Sequence, residues 1–330
     1  MDRLNIGVIG TGLIGRLHAQ HLSSRIPAAR LAAICDTNPV AAAECLAVCN
    51  VEALPVFEDY QKVLSDPAIE AVAICTPGEI HGEMIEAAAA AGKHIFCEKP
   101  IDYDLPRADR ALAAVERAGV KLQIGFNRRF DANFRHVKEA ISAGAIGRPH
   151  TLHIVSRDPV QDEAEPPADL FLDTTIHDLD MARFLTGSEV TTIYAIGGHM
   201  GVPHSADAPD TAVITLRFAN GVIATIENSR RSVYGYDQRL EAFGSEGAIS
   251  VGNESPHQTI VSNRDGVLSS LPLAFFRERY ADSYVAEMSA FARCVIEDSK
   301  PLVTGMDGRT ALVLALAARR ACLEERSIAL

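Results

Sequence analysis

Gly10-Thr11-Gly12-Leu13-Ile14-Gly15 stands between a short apolar run at residues 4–9 and a segment of helical periodicity at residues 13–22. A strand, a glycine-rich turn and a helix in that order leave few folds open. The glycines allow a tight turn, close approach of a pyrophosphate to the backbone, and close packing of helix on strand, and the helix N-terminus attracts the anion. Asp36 closes the next strand, residues 30–35, and lies 21 residues after Gly15. An acid at about that distance binds the diol of an adenine ribose. Its charge repels a 2′-phosphate, and Thr37 and Asn38 bring no cation to offset it, so the expected dinucleotide is NAD. Asp36 also suits the cap of the following helix, and the sequence leaves both readings open.

The alternation continues. Strands are expected at residues 71–75, 94–97 and 121–124, and helices at 40–48, 60–65, 82–91 and 105–118. Near-continuous apolar strands separated by helices predict a doubly wound parallel sheet covered on both faces, an α/β Rossmann domain over residues 1–122. A chain of 330 residues exceeds one ordinary core, which calls for a second domain. Residues 123–330 read as α+β: a helix at 133–142, a strand at 149–156, an acidic, proline-containing loop at 158–169, and a helix beginning near Asp173. Strands follow at 190–196, 211–218, 222–229, 239–243 and 248–251, then helices at 284–296 and 308–324. In residues 211–218, Ile214, Leu216 and Phe218 alternate with Thr215 and Arg217, the period of a sheet with one wet face.

A net charge of −12 argues against nucleic acid or an anionic membrane as partner. The seven cysteines are odd in number and lack a Cys-x-x-Cys pair, and Cys35, Cys75 and Cys97 lie in or beside apolar strands. Such thiols behave as small hydrophobes, a pattern that fits a reducing cytoplasm. The N-terminal residues enter a strand with no signal peptide, and the alanine run at 87–91 is too short to span a bilayer.

Two further features carry chemistry. Lys99 follows an apolar strand directly in Ile95-Phe96-Cys97-Glu98-Lys99-Pro100, and ligands of open α/β sheets lie beyond the carboxyl ends of strands. The Lys99–Pro100 bond is a candidate for the cis form. Asp173 and His177 lie four residues apart at the start of an amphipathic helix whose apolar positions are Ile176, Leu179, Ala182 and Leu185. Positions i and i+4 share a helix face, which suits a carboxylate that orients an imidazole base. Asp173 could equally cap the helix. A zinc reading lacks further His or Cys ligands nearby, so no metal is expected.

Gly10-x-Gly12-x-Ile14-Gly15-x-x-His18, Thr76-Pro77 with His81, Glu98-Lys99-Pro100 and Asp173-x-x-x-His177 occur in order across the chain. In these the chain resembles the glucose–fructose oxidoreductase/inositol dehydrogenase/rhizopine-catabolism family. Gly125-Phe126-Asn127-Arg128-Arg129-Phe130-Asp131, Asn228-Ser229-Arg230-Arg231 and Tyr234-Gly235-Tyr236-Asp237 are most similar to bacterial inositol 2-dehydrogenases. The resemblance implies a second domain built on an open, mainly antiparallel sheet, whose face often mediates tetramer formation. It implies NAD held by Gly10, Gly12, Leu13, Ile14, Gly15, Asp36, Thr76, Pro77, His81, Glu98 and Lys99. Lys99, Asp173 and His177 would be catalytic, with Asn127, Arg128 and Tyr236 near the substrate. Asn127 stands where many inositol dehydrogenases carry a bulkier apolar residue, and the loop at 158–169 is unusually acidic.

The function expected is oxidation of a ring hydroxyl of a cyclic polyol, foremost myo-inositol. A neutral imidazole titrates near working pH, which fits His177 as the base. Lys99 would lower the pKa of the reacting oxygen, and Asp173 would orient His177 or bind a neighbouring hydroxyl. Alternatives are a pyranose or another inositol isomer, and a catalytically silent NAD sensor or scaffold.

Overall fold

The computed structural model describes residues 3–49, 51, 53–160, 169–200 and 209–330. By their contacts these form two compact units, Met1–Phe130 with Asp282–Leu312, and Asp131–Ala281 with Val313–Leu330.

In the first unit β1 (Leu4–Ile9) leads into α1 (Leu13–Ser24), followed by β2 (Ala29–Cys35), α2 (Pro39–Cys49), β3 (Val56–Phe57) and α3 (Tyr60–Ser65). Next come β4 (Ala71–Ile74), α4 (His81–Ala90), β5 (His94–Glu98), α5 (Leu105–Ala118) and β6 (Leu122–Gly125). The strands pair in the order β3-β2-β1-β4-β5-β6, all parallel. This is the doubly wound order expected from the alternation. Its switch point falls between β1 and β4, where such sheets bind ligands beyond the strand ends. Local chemistry sets the helix limits. Asp104 accepts from the Arg107 N–H at the start of α5, and Gly119 ends it at φ +67°, a left-handed conformation that costs glycine little.

The second unit holds α6 (Ala132–Ser142), β7 (Pro149–Pro159), α7 (Ile176–Thr186), β8 (Val190–Gly198), β9 (Thr211–Phe218), β10 (Ile223–Ser232), β11 (Asp237–Gly244) and β12 (Gly247–Val251). It continues with the hairpin β13 (Ile260–Asn263) and β14 (Gly266–Ser269), and with α8 (Phe276–Arg279). The C-terminal elements are α9 (Ala281–Ile296), α10 (Gly305–Leu323) and β15 (Ile328–Ala329). Its seven strands run β12-β11-β7-β10-β9-β8-β15. Every neighbouring pair is antiparallel except β7 with β10, in keeping with the expected mainly antiparallel sheet. On one face Ile196, Val213, Ile223 and Phe243 are exposed. Register aligns Ile196 with Val213, and both Ile223 and Phe243 with Thr151.

Grouping by contact differs from the sequence division at residue 123: residues 123–130 and 282–312 belong with the first unit. Almost all of α9 belongs with the first unit, because Met288, Phe291 and Ala292 are buried in its core beside Ile6, Val8 and Phe96. Periodicity marks an apolar helix face but not the sheet that covers it. Of the acidic stretch expected as a loop, residues 161–168 lie outside the described residues, and Asp158 extends β7. No described helix is long and apolar enough to cross a membrane.

Candidate active site

A cavity of about 610 Å³ opens at the carboxyl ends of β1, β2 and β4. Of the residues expected to hold the cofactor, Gly10, Gly12, Leu13 and Ile14 line it from the turn and α1, Asp36 from the end of β2, and Thr76 and Pro77 from the end of β4. The glycines differ in what they allow. A side chain at Gly10, which has φ +88°, would meet the Cys75 carbonyl at 2.7 Å, and one at Gly15 would collide with the Gly10 carbonyl oxygen. A side chain at Gly12 would meet nothing within 4 Å, and Gly12 is the N-cap of α1. Open space thus lies at the N-terminus of α1, where the first-turn N–H groups of a helix have no intrahelical partners, a cradle that a pyrophosphate fits.

Asp36 is held from both sides. Its Oδ2 accepts from the Thr11 N–H at 2.7 Å and the Thr11 hydroxyl at 2.8 Å, and its Oδ1 from the Asn38 N–H at 2.8 Å. Burial works to raise the carboxyl, but the bonds from Asn38 and Thr11 outweigh it and hold the group below its ordinary value. Capping of α2 falls to Asn38, whose Oδ1 accepts from the Val40 N–H at 3.0 Å. Asp36 is therefore an anchored anion on the cavity wall, and the cap reading goes to its neighbour.

Beyond β5, Lys99 is half-buried and its peptide bond to Pro100 is cis. Glu98 turns its carboxylate to His18, whose Nε2 lies 2.8 Å away, and accepts from the Lys99 N–H at 3.3 Å. His18 is fully buried between the rings of Phe96 and Tyr284. Glu287, also fully buried, has a carboxyl oxygen 4.0 Å from the His18 Nε2. Burial and the Glu98 carboxylate push the Glu287 carboxyl well above its ordinary range. His81 is buried with its ring nitrogens 2.8 Å from the Thr76 carbonyl oxygen and 2.6 Å from that of Pro100, tying the turn after β4 to the turn after β5. Asn127 and Arg128 are buried after β6, and the Asn127 amide donates to the Ser283 hydroxyl at 3.1 Å.

In the second unit Asp173 lies in a π-helical turn, Phe171–Thr175, that runs into α7. Such turns are rare and recur at functional sites. The turn is capped by Asp169, whose Oδ1 accepts from the Phe171 and Leu172 N–H groups at 2.9 and 3.2 Å. Asp173 is thus not the cap, and its Oδ2 accepts from Arg230 Nη2 at 2.9 Å. His177 stands half-buried in the first turn of α7. Tyr236 is buried with its ring edge-on to Tyr280 at 5.9 Å. Beside it Asp237 accepts from Arg239, Tyr234 and Asn253, and these bonds outweigh burial to hold its carboxyl below the usual range.

Sequence reasoning did not single out Glu58, Tyr60, Ile80 and Met84, which also line the cavity. Glu58 and Tyr60 follow β3, a two-residue strand too short to register as a pattern. Ile80 projects from a short 3-10 turn, Gly78–Ile80. Among the described residues the one cluster with metal-ligand geometry is His18, Glu98 and Glu287, with donor atoms within 4.8 Å of one another.

A doubly wound sheet with a glycine cradle and an anchored acid at its switch point defines a dinucleotide-binding Rossmann protein. Residues 4–126 match the oxidoreductase family with an NAD-binding Rossmann fold, and residues 134–250 match the GFO/IDH/MocA C-terminal domain. The chain belongs to this family, and it is an NAD-binding oxidoreductase closely related to the inositol 2-dehydrogenases. It is 45% identical over 95% of its length to the oxidoreductase YrbE of Bacillus subtilis, of which it covers 93%. It is 43% identical over 99% of its length to the myo-inositol 2-dehydrogenase of Thermotoga maritima, of which it covers 98%. The crystal structure of scyllo-inositol dehydrogenase from Lactobacillus casei with bound NAD(H) and scyllo-inositol superposes with a TM-score of 0.92, at 28% identity and 99% coverage of both chains.

Proposed function

We infer that this protein oxidises a ring hydroxyl of a cyclic polyol, with myo-inositol as substrate and 2-keto-inositol as product. The observation that carries the reading is the full-length likeness to a myo-inositol 2-dehydrogenase, in a chain that holds Lys99, Asp173 and His177 in the motifs Glu98-Lys99-Pro100 and Asp173-x-x-x-His177.

Oxidised nicotinamide, when bound, accepts the hydride that leaves the carbinol carbon. The protein supplies the rest. His177 takes the hydroxyl proton as the C–O bond becomes a carbonyl, a role that suits an imidazole at neutral pH. Lys99 stabilises the charge that develops on the oxygen. Asp173, paired with Arg230, orients His177 or accepts from a neighbouring hydroxyl. Asn127, Arg128 and Tyr236 bind other hydroxyls of the ring. Gly10, Gly12, Leu13, Ile14, Gly15, Thr76, Pro77, His81, Glu98 and Lys99 form or support the cofactor site, and Asp36 binds the adenine ribose. The bound ligand of the Lactobacillus casei enzyme keeps scyllo-inositol as a second substrate reading.

The protein works as a homotetramer in the cytoplasm. The exposed apolar rows on the second unit's sheet support the first statement, and seven cysteines without a disulfide support the second.

The test is a panel of inositols and aldoses, read by NADH absorbance. Highest kcat/KM on myo-inositol supports the reading. Turnover confined to another ring polyol or sugar moves the substrate, and no turnover with NAD bound overturns it.

A further inference from the structure

The segment that carries His177 is fastened to the sheet by side-chain hydrogen bonds, two of which meet on Asn228. Asn228 on β10 is fully buried, as are Thr175 and Asp178. Its Oδ1 accepts from the Thr175 hydroxyl at 2.7 Å, and its Nδ2 donates to Asp178 Oδ2 at 2.7 Å. His177 lies between those two anchored positions. The other oxygen of Asp178 accepts from the Ser156 hydroxyl at 2.8 Å. Ser156 is the register partner of Asn228 across the parallel β7–β10 pair. Two residues further along β10, Arg230 reaches Asp173. The last residue of the π-helical turn and the first turn of α7 are therefore indexed to adjacent strands at the centre of the sheet.

The chemistry calls for an amide. A carboxylate only accepts, so the group facing Asp178 must donate, and the group facing the Thr175 hydroxyl proton must accept. Asn does both at once. An Asp in its place would set two carboxylates together in a dry site, and an Ala would leave the Thr175 hydroxyl and one oxygen of Asp178 without this partner.

We propose that Asn228 is a positioning residue for the reaction: its amide clamps Thr175 and Asp178 and so fixes the direction of the His177 ring between them. This rests on His177 as the base. A base displaced by about 1 Å can lose on the order of 10²-fold in rate, so a two-sided clamp is a functional device as well as a structural one.

The test compares Asn228→Ala, Asn228→Asp, Thr175→Val, Thr175→Ser and His177→Ala by kcat and KM at saturating NAD. The pH profile of kcat/KM, the Kd for NADH and the folded fraction by circular dichroism are measured on the same samples. The expected result for folded Asn228→Ala is a kcat lower by roughly 10- to 100-fold, a shifted pH profile, and an NADH Kd within about twofold of wild type. Thr175→Val should move kcat the same way by less, and Thr175→Ser, which keeps the hydroxyl, should restore it. Should the Asn228 variants fail to fold, Thr175→Val against Thr175→Ser decides the matter. Wild-type kcat and pH profile in folded Asn228→Ala or Thr175→Val, with His177→Ala inactive, overturn this inference alone. A wild-type rate in His177→Ala overturns the base assignment and the inference together.

Discussion

The two oxygens of Asp36 are not equivalent: Thr11 donates twice to Oδ2, through its N–H at 2.7 Å and its hydroxyl at 2.8 Å. The pair locks the glycine turn to the end of β2 and keeps a negative charge in place on the cavity wall. A carboxylate held so firmly cannot swing away from the 2′-phosphate of NADP. NAD preference should therefore rest on Thr11 as well as on Asp36. Thr11→Val removes one charge-assisted bond and should narrow the NAD over NADP preference by roughly 3- to 10-fold, and Asp36→Ser should narrow it further. The chain has no tryptophan, so Kd values can be read from the fluorescence of NADH and NADPH themselves. Tighter binding of NADPH by wild type would contradict the role given to Asp36.

Gly12 and Gly15 should fail differently when replaced by Ala. At Gly15 the added carbon strikes the Gly10 carbonyl, and Gly15→Ala should destabilise the protein by about 1–3 kcal/mol or more. At Gly12 it enters open space, so Gly12→Ala should melt like wild type while obstructing the N–H cradle. Loss of charge-assisted bonds to phosphate would weaken NADH by roughly 10- to 100-fold. Thermal melting and an NADH titration of each variant check both statements; equal melting of the two variants would contradict the first.

Glu287 makes stability depend on pH. Its carboxyl titrates well above the ordinary value in the fold, driven by burial and by Glu98, so the folded state holds this proton more tightly than the unfolded state. The favourable contribution is complete below the unfolded value and is lost as pH rises through the folded one. His18 and Glu98 face the group, and neither of its oxygens has a hydrogen-bond partner among the described residues. Glu287→Gln is a neutral isostere and should flatten the decline of Tm on the alkaline side. An unchanged Tm profile would mean that Glu287 does not hold that proton.

The first sheet was readable from sequence nearly strand by strand, because parallel strands buried on both faces leave unbroken apolar runs, as Ala71–Ile74 does. The glycine turn and Asp36 were readable because their roles depend on local spacing. What depended on distant contacts was not. Arg230 is 57 residues from Asp173, and no spacing rule joins them. The π-helical turn left no mark, since Phe171 and Leu172 fit a helical period as well as Ile176 does, and the cap proved to be Asp169. Hairpin β13–β14 is exposed throughout and so lacks the buried face that creates alternation. The packing of α9 with the first unit was hidden for the reason that a helix face does not name its partner.

The proposed role of His177 as the base in an NAD-dependent polyol oxidation is tested by the initial rate of NADH formation from myo-inositol by wild type and by His177→Ala at saturating NAD. The predicted result is steady NADH production by wild type and a kcat lower by about 10²- to 10⁴-fold in the variant, with NADH Kd unchanged. Equal rates in the two proteins would contradict it.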